Sequence, residues 1–269
     1  MSRFENRSAF VTGGGSGIGR AVCATLAAGG AFVWAADINE AAAEATVKLV
    51  AESGGRARAV GLDVRDEQSW LDALRPSDAH PDPLRILVNC AGRSMIADTF
   101  TMALDDLRAI MSTNVEGTFL GMKHAIPRIA TSGGGAVINI SSFAGLRGIP
   151  RMTAYCGSKG AIRMMTKAVA LECAELGNGV RVNSVHPGVA DTPAWNQHTP
   201  DEVAASFLDD ADTDDLPAVG AQEVAKKLVP IGVAASAEEI AETVGFLASD
   251  AARHITGAEI AIDGGMTAR

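Results

Sequence analysis

The chain has 269 residues, 47% of them hydrophobic and 20% charged, with 32 acidic against 23 basic side chains. That is enough length and apolar character for one large α/β domain spanning residues 1–269, and it excludes a disordered, collagen-like or highly charged polypeptide. A net charge of −9 without a basic stripe excludes a binder of nucleic acid or anionic lipid.

Residues 1–8 lead into the first apolar run with no hydrophobic leader, and no run approaches the ~20 apolar residues of a membrane span. A soluble, cytoplasmic protein is expected. Strands are predicted at residues 9–12, 31–36, 59–62, 86–89, 136–141, 180–185 and 258–262. These are continuous apolar runs, as befits strands covered on both faces, and helical segments alternate with them. The pattern predicts a doubly wound parallel sheet of about seven strands. Residues 75–83, with three prolines, read as a connection. Nine acids fall in one stretch free of Lys and Arg: Asp191, Asp201, Glu202, Asp209, Asp210, Asp212, Asp214, Asp215 and Glu223. Within it Thr199, Pro200 and Glu202 mark a short helix with Val203, Phe207 and Leu208 on one face. It reads as part of a lid, about residues 190–232, over an apolar pocket. Ser236 and Glu239 form a capping box opening a further helix, with Ile240, Val244 and Leu247 at helical spacing.

Four cysteines, Cys23, Cys90, Cys156 and Cys173, lie far apart without a C-x-x-C pair, which points to reduced thiols and no metal site. His80, His124, His198 and His254 show no ligand spacing. Two motifs carry chemistry. Thr12-Gly13-Gly14-Gly15-Ser16-Gly17-Ile18-Gly19 joins the first strand to a helix, and its glycines let main-chain N–H groups approach a pyrophosphate. Asp37 ends the next strand, 18 residues after Gly19, where a carboxylate accepts from ribose hydroxyls and repels a 2′-phosphate. With no Lys or Arg beside Asp37 or within the loop, NAD is expected over NADP. The only tyrosine, Tyr155, precedes Lys159 by one helical turn. A phenol is a weak base at neutral pH, and a neighbouring ammonium stabilises its phenolate, as proton exchange with an alcohol oxygen requires.

With these motifs the chain resembles the short-chain dehydrogenases/reductases over nearly its whole length. The resemblance is carried by T-G-x-x-x-G-I-G, Asp63-Val64, Asn89-Cys90-Ala91-Gly92, Asn114, Ser142, Tyr155-x-x-x-Lys159, Pro187-Gly188 and Thr192. It implies a Rossmann fold and a catalytic set of Asn114, Ser142, Tyr155 and Lys159. Ser142 would hold the substrate oxygen and Tyr155 act as general acid/base. Lys159 would bind the nicotinamide ribose and lower the phenol pKa, and Asn114 would anchor a relay water. The cofactor would lie on Gly13, Gly15, Ser16, Gly17, Ile18 and Gly19, on Asp37 and Ile38, on Asp63 and Val64, and on Asn89, Ala91 and Gly92. Tyr155 and Lys159, then Pro187, Gly188, Val189 and Thr192, would complete its contacts. The family's usual N-N-A-G is here N-C-A-G, which puts packing around Cys90 in doubt more than catalysis, since nothing near it in sequence offers a base. His186 lies beside the nicotinamide site in a supporting position.

By position the substrate pocket would be lined by Ser94, Met95, Phe143, Leu146, Met152, Val189, Trp195 and Phe207. These are nearly all apolar, suiting a bulky cyclic, aryl or steroid-like secondary alcohol or ketone. The runs R-V-N-S-V-H-P and D-G-G-M-T-A are similar to those of bacterial secondary-alcohol and hydroxysteroid dehydrogenases. A 3-oxoacyl thioester reductase is the enzymatic alternative, opposed by the acidic lid. A non-catalytic dinucleotide-binding regulator is the other. The helix after Lys159 is apolar nearly all round, through Ile162, Met164, Met165, Val169 and Leu171. With the resemblance this implies a homotetramer, or a homodimer, acting on a small molecule.

Overall fold

A computed structural model describes residues 3–193 and 220–268 of the chain. The expected helix at residues 199–208, the acids from Asp201 to Asp215, and the pocket candidates Trp195 and Phe207 lie outside the described residues. Within them, β1 (Ser8–Thr12), β2 (Phe32–Asp37), β3 (Arg56–Gly61), β4 (Leu84–Asn89), β5 (Gly135–Ile140), β6 (Val180–Pro187) and β9 (Glu259–Ile262) form one sheet. All its pairs are parallel and its order is β3-β2-β1-β4-β5-β6-β9. The order reverses between β1 and β4. A crevice therefore opens beyond the carboxyl ends of these two strands, where helices leave in opposite directions.

Both faces of the sheet are buried, which is why its strands read as unbroken apolar runs. Ala9, Val11, Val33, Ala35, Ile86 and Val88 pack beneath α1 (Gly17–Ala28), α2 (Glu40–Glu52) and α8 (Ala237–Ala248). The residues between them, among them Phe10, Trp34 and Leu87, pack beneath α3 (Glu67–Asp78), α5 (Gly117–Thr131) and α6 (Thr153–Glu175). Each fully buried Val, Ile or Leu contributes about 1.5–3 kcal/mol. A third apolar cluster, with Ile96, Phe143, Ile149, Met152 and Val189, gathers under α7 (Ala221–Leu228) at the carboxyl end of the sheet.

Two expectations need correction. β3 begins three residues before the predicted Ala59, because it is an edge strand on which Arg56 and Arg58 are exposed while Ala57 and Ala59, alternating with them, are partly buried against the core. The predicted connection at residues 75–83 starts instead at Ala79, since α3 continues through Pro76 to Asp78. Proline there removes one hydrogen bond in the last turn only, and Asp66 secures the other end of the helix by accepting from Gln68 and Ser69 N–H. A short pair not read from sequence, β7 (Ala190–Asp191) with β8 (Ala235–Ser236), follows the main sheet. The capping box is formed: Ser236 Oγ accepts from Glu239 N at 3.1 Å, and Glu239 Oε2 from Ser236 N at 2.7 Å. No described helix is long and apolar enough to cross a membrane.

Candidate active site

Thr12 closes β1 and its hydroxyl accepts from Cys90 and Ala91 N–H, both at 3.0 Å, which binds the end of β1 to the end of β4. The chain then turns through Gly13, at φ +65°, into α1, whose first residue Gly17 has φ +48°. A Cβ on Gly19 would stand 2.1 Å from the Gly13 carbonyl oxygen, so only glycine lets the helix start this close to the loop. Asp37 Oδ2 accepts from Gly15 N at 3.0 Å and Oδ1 from Asn39 N at 2.9 Å. The carboxylate therefore shapes the loop as well as facing what lies beside it.

Along this loop runs a groove of about 530 Å³. Gly13, Ser16, Gly17, Ile18, Gly19, Asp37, Ile38, Asp63, Val64, Ala91, Gly92 and Thr192 lie on its walls, as expected, together with Arg65, Arg93 and Thr113, which sequence reasoning did not single out. Gly15 is not on the wall; its N–H is turned to Asp37. Asn89 is not on it either, because its buried amide donates across the sheet to Asn139 Oδ1 at 2.8 Å. The Asp63 carboxylate is held in a fork by Arg65, with contacts of 2.9 and 2.6 Å, and that guanidinium holds its carboxyl below the usual range.

A cavity of about 200 Å³ joins the groove and shares Ile18, Cys90, Gly92, Arg93 and Thr192 with it. Three elements bring the reactive candidates to its floor. Ser142 follows β5 and caps a single 3₁₀ turn, its Oγ accepting from Ala144 N at 3.2 Å. Tyr155 and Lys159 stand one turn apart on α6. Lys159 is 5% exposed, lies 5.6 Å from the centre of the Tyr155 ring, and donates from Nζ to the Ile140 carbonyl at 2.9 Å. Burial pulls its ammonium from 10.5 down to about 8. Burial also raises the Tyr155 phenol, and a hydrogen bond from the Ser142 hydroxyl works against that rise by favouring the phenolate.

Asn114 sits in a π-turn, Ser112–Glu116, between α4 (Leu104–Met111) and α5. Such bulges recur at functional sites because they turn one side chain out of the helical register. Its Nδ2 donates to Arg93 O and Ser158 Oγ, and its Oδ1 accepts from Arg93 N, all at 2.9 Å. Both amide hydrogens are thus engaged, clamping the segment after β4 against α6. The Cys90 thiol borders both spaces and burial pushes it up to about 12, so it is no nucleophile at neutral pH.

Among the substrate-pocket candidates Ser94, Phe143 and Met152 line the cavity, joined by Ile96, Ile140 and Ile149. Met95, Leu146 and Val189 do not. Ser94 and Ile96 reach the cavity while Met95 between them is not on its wall, Leu146 closes the 3₁₀ turn, and Val189 is packed into the third apolar cluster. Pro187 and Gly188 line the cavity rather than the groove. Ile149 carries no sequence signal, whereas Arg65 and Arg93 could have been marked by standing directly beside Asp63-Val64 and Gly92.

Comparison with known proteins identifies the family. Residues 13–267 match the family model described as enoyl-(acyl carrier protein) reductase. The cyclopentanol dehydrogenase of Comamonas testosteroni is 35% identical over 271 residues, with 100% of both chains covered. The 2-(S)-hydroxypropyl-CoM dehydrogenase 3 of Xanthobacter autotrophicus is 37% identical over 270 residues, with 99% of each chain covered. A solved short-chain type dehydrogenase/reductase from Mycobacterium marinum superposes with a TM-score of 0.86 at 28% identity, covering 99% of this chain and 97% of that one. Similarity that runs end to end, in relatives named as alcohol dehydrogenases and on the same fold, makes this chain a member of the short-chain dehydrogenase/reductase family of oxidoreductases, close to its secondary-alcohol dehydrogenases.

Proposed function

We propose that the protein interconverts a secondary alcohol and its ketone with NAD(H), on a bulky apolar substrate of the cyclic kind, as the relation to a cyclopentanol dehydrogenase suggests. The observation that carries this reading is the meeting of Ser142, Tyr155 and Lys159 on the floor of a cavity walled by Ile96, Phe143, Ile149 and Met152 and open to the glycine groove. The groove fits a dinucleotide: α1 starts without a side-chain cap, which leaves its first main-chain N–H groups for an anion, and Asp37 on the same groove stands as acceptor for ribose hydroxyls. Asp37 also opposes a 2′-phosphate, and Arg65, a cation on the same groove wall, is spent on Asp63.

In oxidation the substrate hydroxyl lies between Ser142 and Tyr155. Ser142 fixes its oxygen, and Tyr155, as phenolate, takes its proton. The nearby Lys159 ammonium and the Ser142 hydroxyl lower the cost of holding that negative charge in a buried site. A bound nicotinamide supplies the acceptor for the hydride leaving the carbinol carbon. Asn114 holds α6 and the segment after β4 at fixed separation, and a relay water there is left only the unused lone pair of its side-chain oxygen or main-chain acceptors. Phe119, Met164 and Leu171 are half exposed or more on α5 and α6, in keeping with a homo-oligomer joined through these helices.

Arg93 gives a second reading. Arg93 is on both walls and its guanidinium has no acidic partner among the described residues, which suits an alcohol carrying a carboxylate or other anionic tail. The test is nicotinamide absorbance with NAD and NADP across cyclic alcohols, hydroxysteroids, hydroxy acids and 3-hydroxyacyl thioesters. Turnover of cyclic alcohols with NAD, abolished in Tyr155→Phe with NADH binding retained, supports the main reading. Preference for hydroxy acids supports the second, preference for NADP or thioesters overturns the Asp37 or the pocket argument, and full activity of Tyr155→Phe overturns the mechanism.

A further inference from the structure

His186 is fully buried in β6, next to Pro187 and Gly188 of the cavity wall, and the mechanism above does not use it. Its two ring nitrogens are both engaged. Nδ1 lies 3.0 Å from the main-chain carbonyl of Ser142, across 44 residues of sequence, and Nε2 lies 2.9 Å from Ser184 Oγ. A carbonyl only accepts, so Nδ1 carries the hydrogen and Nε2 accepts from the Ser184 hydroxyl. The Ser142 carbonyl also accepts from Gly145 N at 2.8 Å, so both of its lone pairs are taken. With that peptide held from two sides, the direction of the Ser142 Cα–Cβ bond is fixed, and with it the place of the hydroxyl that meets Tyr155.

We infer that His186 is a positioning residue, a neutral imidazole that relays an orientation from Ser184 through the Ser142 peptide to the hydroxyl beside the Tyr155 phenol. Its surroundings suit a neutral ring. Burial lowers it first; the Ser142 carbonyl and Glu259 on β9 act the other way, while Arg163 and Lys159 on α6 add to the lowering. Nothing in this role involves proton exchange with substrate. The inference rests on the proposed function for its catalytic meaning, and its geometry is testable without turnover because Tyr155 is the only tyrosine in the chain.

The test is a titration of that phenol by ultraviolet difference absorbance in the wild type, His186→Leu and His186→Asn, with kcat and KM measured alongside. Leucine fills the space without a donor, whereas the asparagine amide can place an N–H where Nδ1–H stood. In His186→Leu the phenol midpoint is expected to rise by about half to one pH unit as Ser142 loosens. There kcat falls about 10–100-fold with KM for alcohol and cofactor within threefold, as expected when a group acts on the reacting state and not on binding. His186→Asn restores both toward wild type. Should the leucine variant not fold, Ser184→Ala, which removes the donor to Nε2 together with a long 3.4 Å contact to the Ala258 carbonyl, replaces it in the comparison and is expected to shift the midpoint in the same direction. An unmoved phenol midpoint in the folded variants, or equal losses in leucine and asparagine, overturns the inference. A shifted midpoint in a protein that turns over no alcohol leaves His186 in place and overturns the proposed function; alcohol turnover with no shift does the reverse.

Discussion

Replacing Lys159 by methionine should separate activity from stability. Burial takes the ammonium from 10.5 to about 8, and each pKa unit is worth 1.36 kcal/mol, so holding the charge in the fold costs about 3 kcal/mol at pH 7. Methionine, of similar length, removes that cost and leaves the Ile140 carbonyl without its donor, a loss of about 1–3 kcal/mol. The variant is therefore expected to be at least as stable as the wild type at pH 7. The sign also predicts a pH signature. A basic group whose folded pKa lies below its unfolded one binds fewer protons in the fold between the two values. Wild-type stability relative to the variant should thus rise from pH 8 to about 10.5 and be level outside that window. Cys90, held up to about 12, stays neutral in the folded state of both proteins across the window, and its unfolded titration cancels in the difference. Loss of the cation beside the Tyr155 phenolate should lower kcat by about 10²–10⁴-fold. Urea unfolding of both proteins from pH 7 to pH 11, with kcat at pH 8, makes the comparison. A kcat within tenfold of wild type, or a stability difference flat with pH, refutes the reasoning.

Glu259→Gln should weaken the tie between β9 and α6. Arg163 first, then Lys167, pulls this carboxyl from 4.5 down to about 2, so its contribution is full above pH 4.5 and lost as pH falls toward 2. With Arg163 and Lys167 over a third exposed, the loss at pH 7 is about 1–2 kcal/mol, and thermal unfolding of the variant should be less sensitive to pH between 4.5 and 2 than that of wild type. Gly19→Ala drives a Cβ into the Gly13 carbonyl and should cost about 1–3 kcal/mol of stability and weaken NADH at least tenfold by fluorescence titration; unchanged NADH affinity would remove the loop from the dinucleotide site. Burial raises all four thiols, so iodoacetamide at pH 8 should spare the native protein and label four cysteines in urea, and rapid loss of activity in the native state would contradict the placing of Cys90.

The sheet is legible because a parallel strand covered on both faces is apolar along most of its length, and Phe10 between Ala9 and Val11 shows both faces claiming their residues. The start of β3 is hidden in the sequence for the complementary reason. An edge strand needs one covered face only, so Arg56 and Arg58 interrupt the run without interrupting the strand. Pro76 misled in the same local way, since a proline in the last turn of a helix costs little and α3 is held from its other end by Asp66. Spacing brought Tyr155 and Lys159 to one helix face, and glycine at positions 13, 17 and 19 marked a turn that other residues could not make.

What sequence could not supply is the direction of side chains in segments without a period. The run from Asn89 to Ile96 contributes to three places: Asn89 to the sheet interior, Gly92 and Arg93 to both cavities, Ser94 and Ile96 to the substrate wall. Position in a motif gives proximity but not facing, and Met95, next to two wall residues, is itself not on the wall. Asn114 shows the same limit from the other side. Its place in the chain marked it as a site residue, while its work is visible only once its amide is seen bonded to both peptide groups of Arg93 and to Ser158, three residues from Tyr155. Under the proposed mechanism the reactive geometry depends on buried groups without charge, Asn114, Thr12 and His186, that fix backbone. Beside the Tyr155 ring the charge is that of Lys159, where its burial has a use, so under the proposed mechanism the residues that set rate and those that set precision are different and can be separated by mutation.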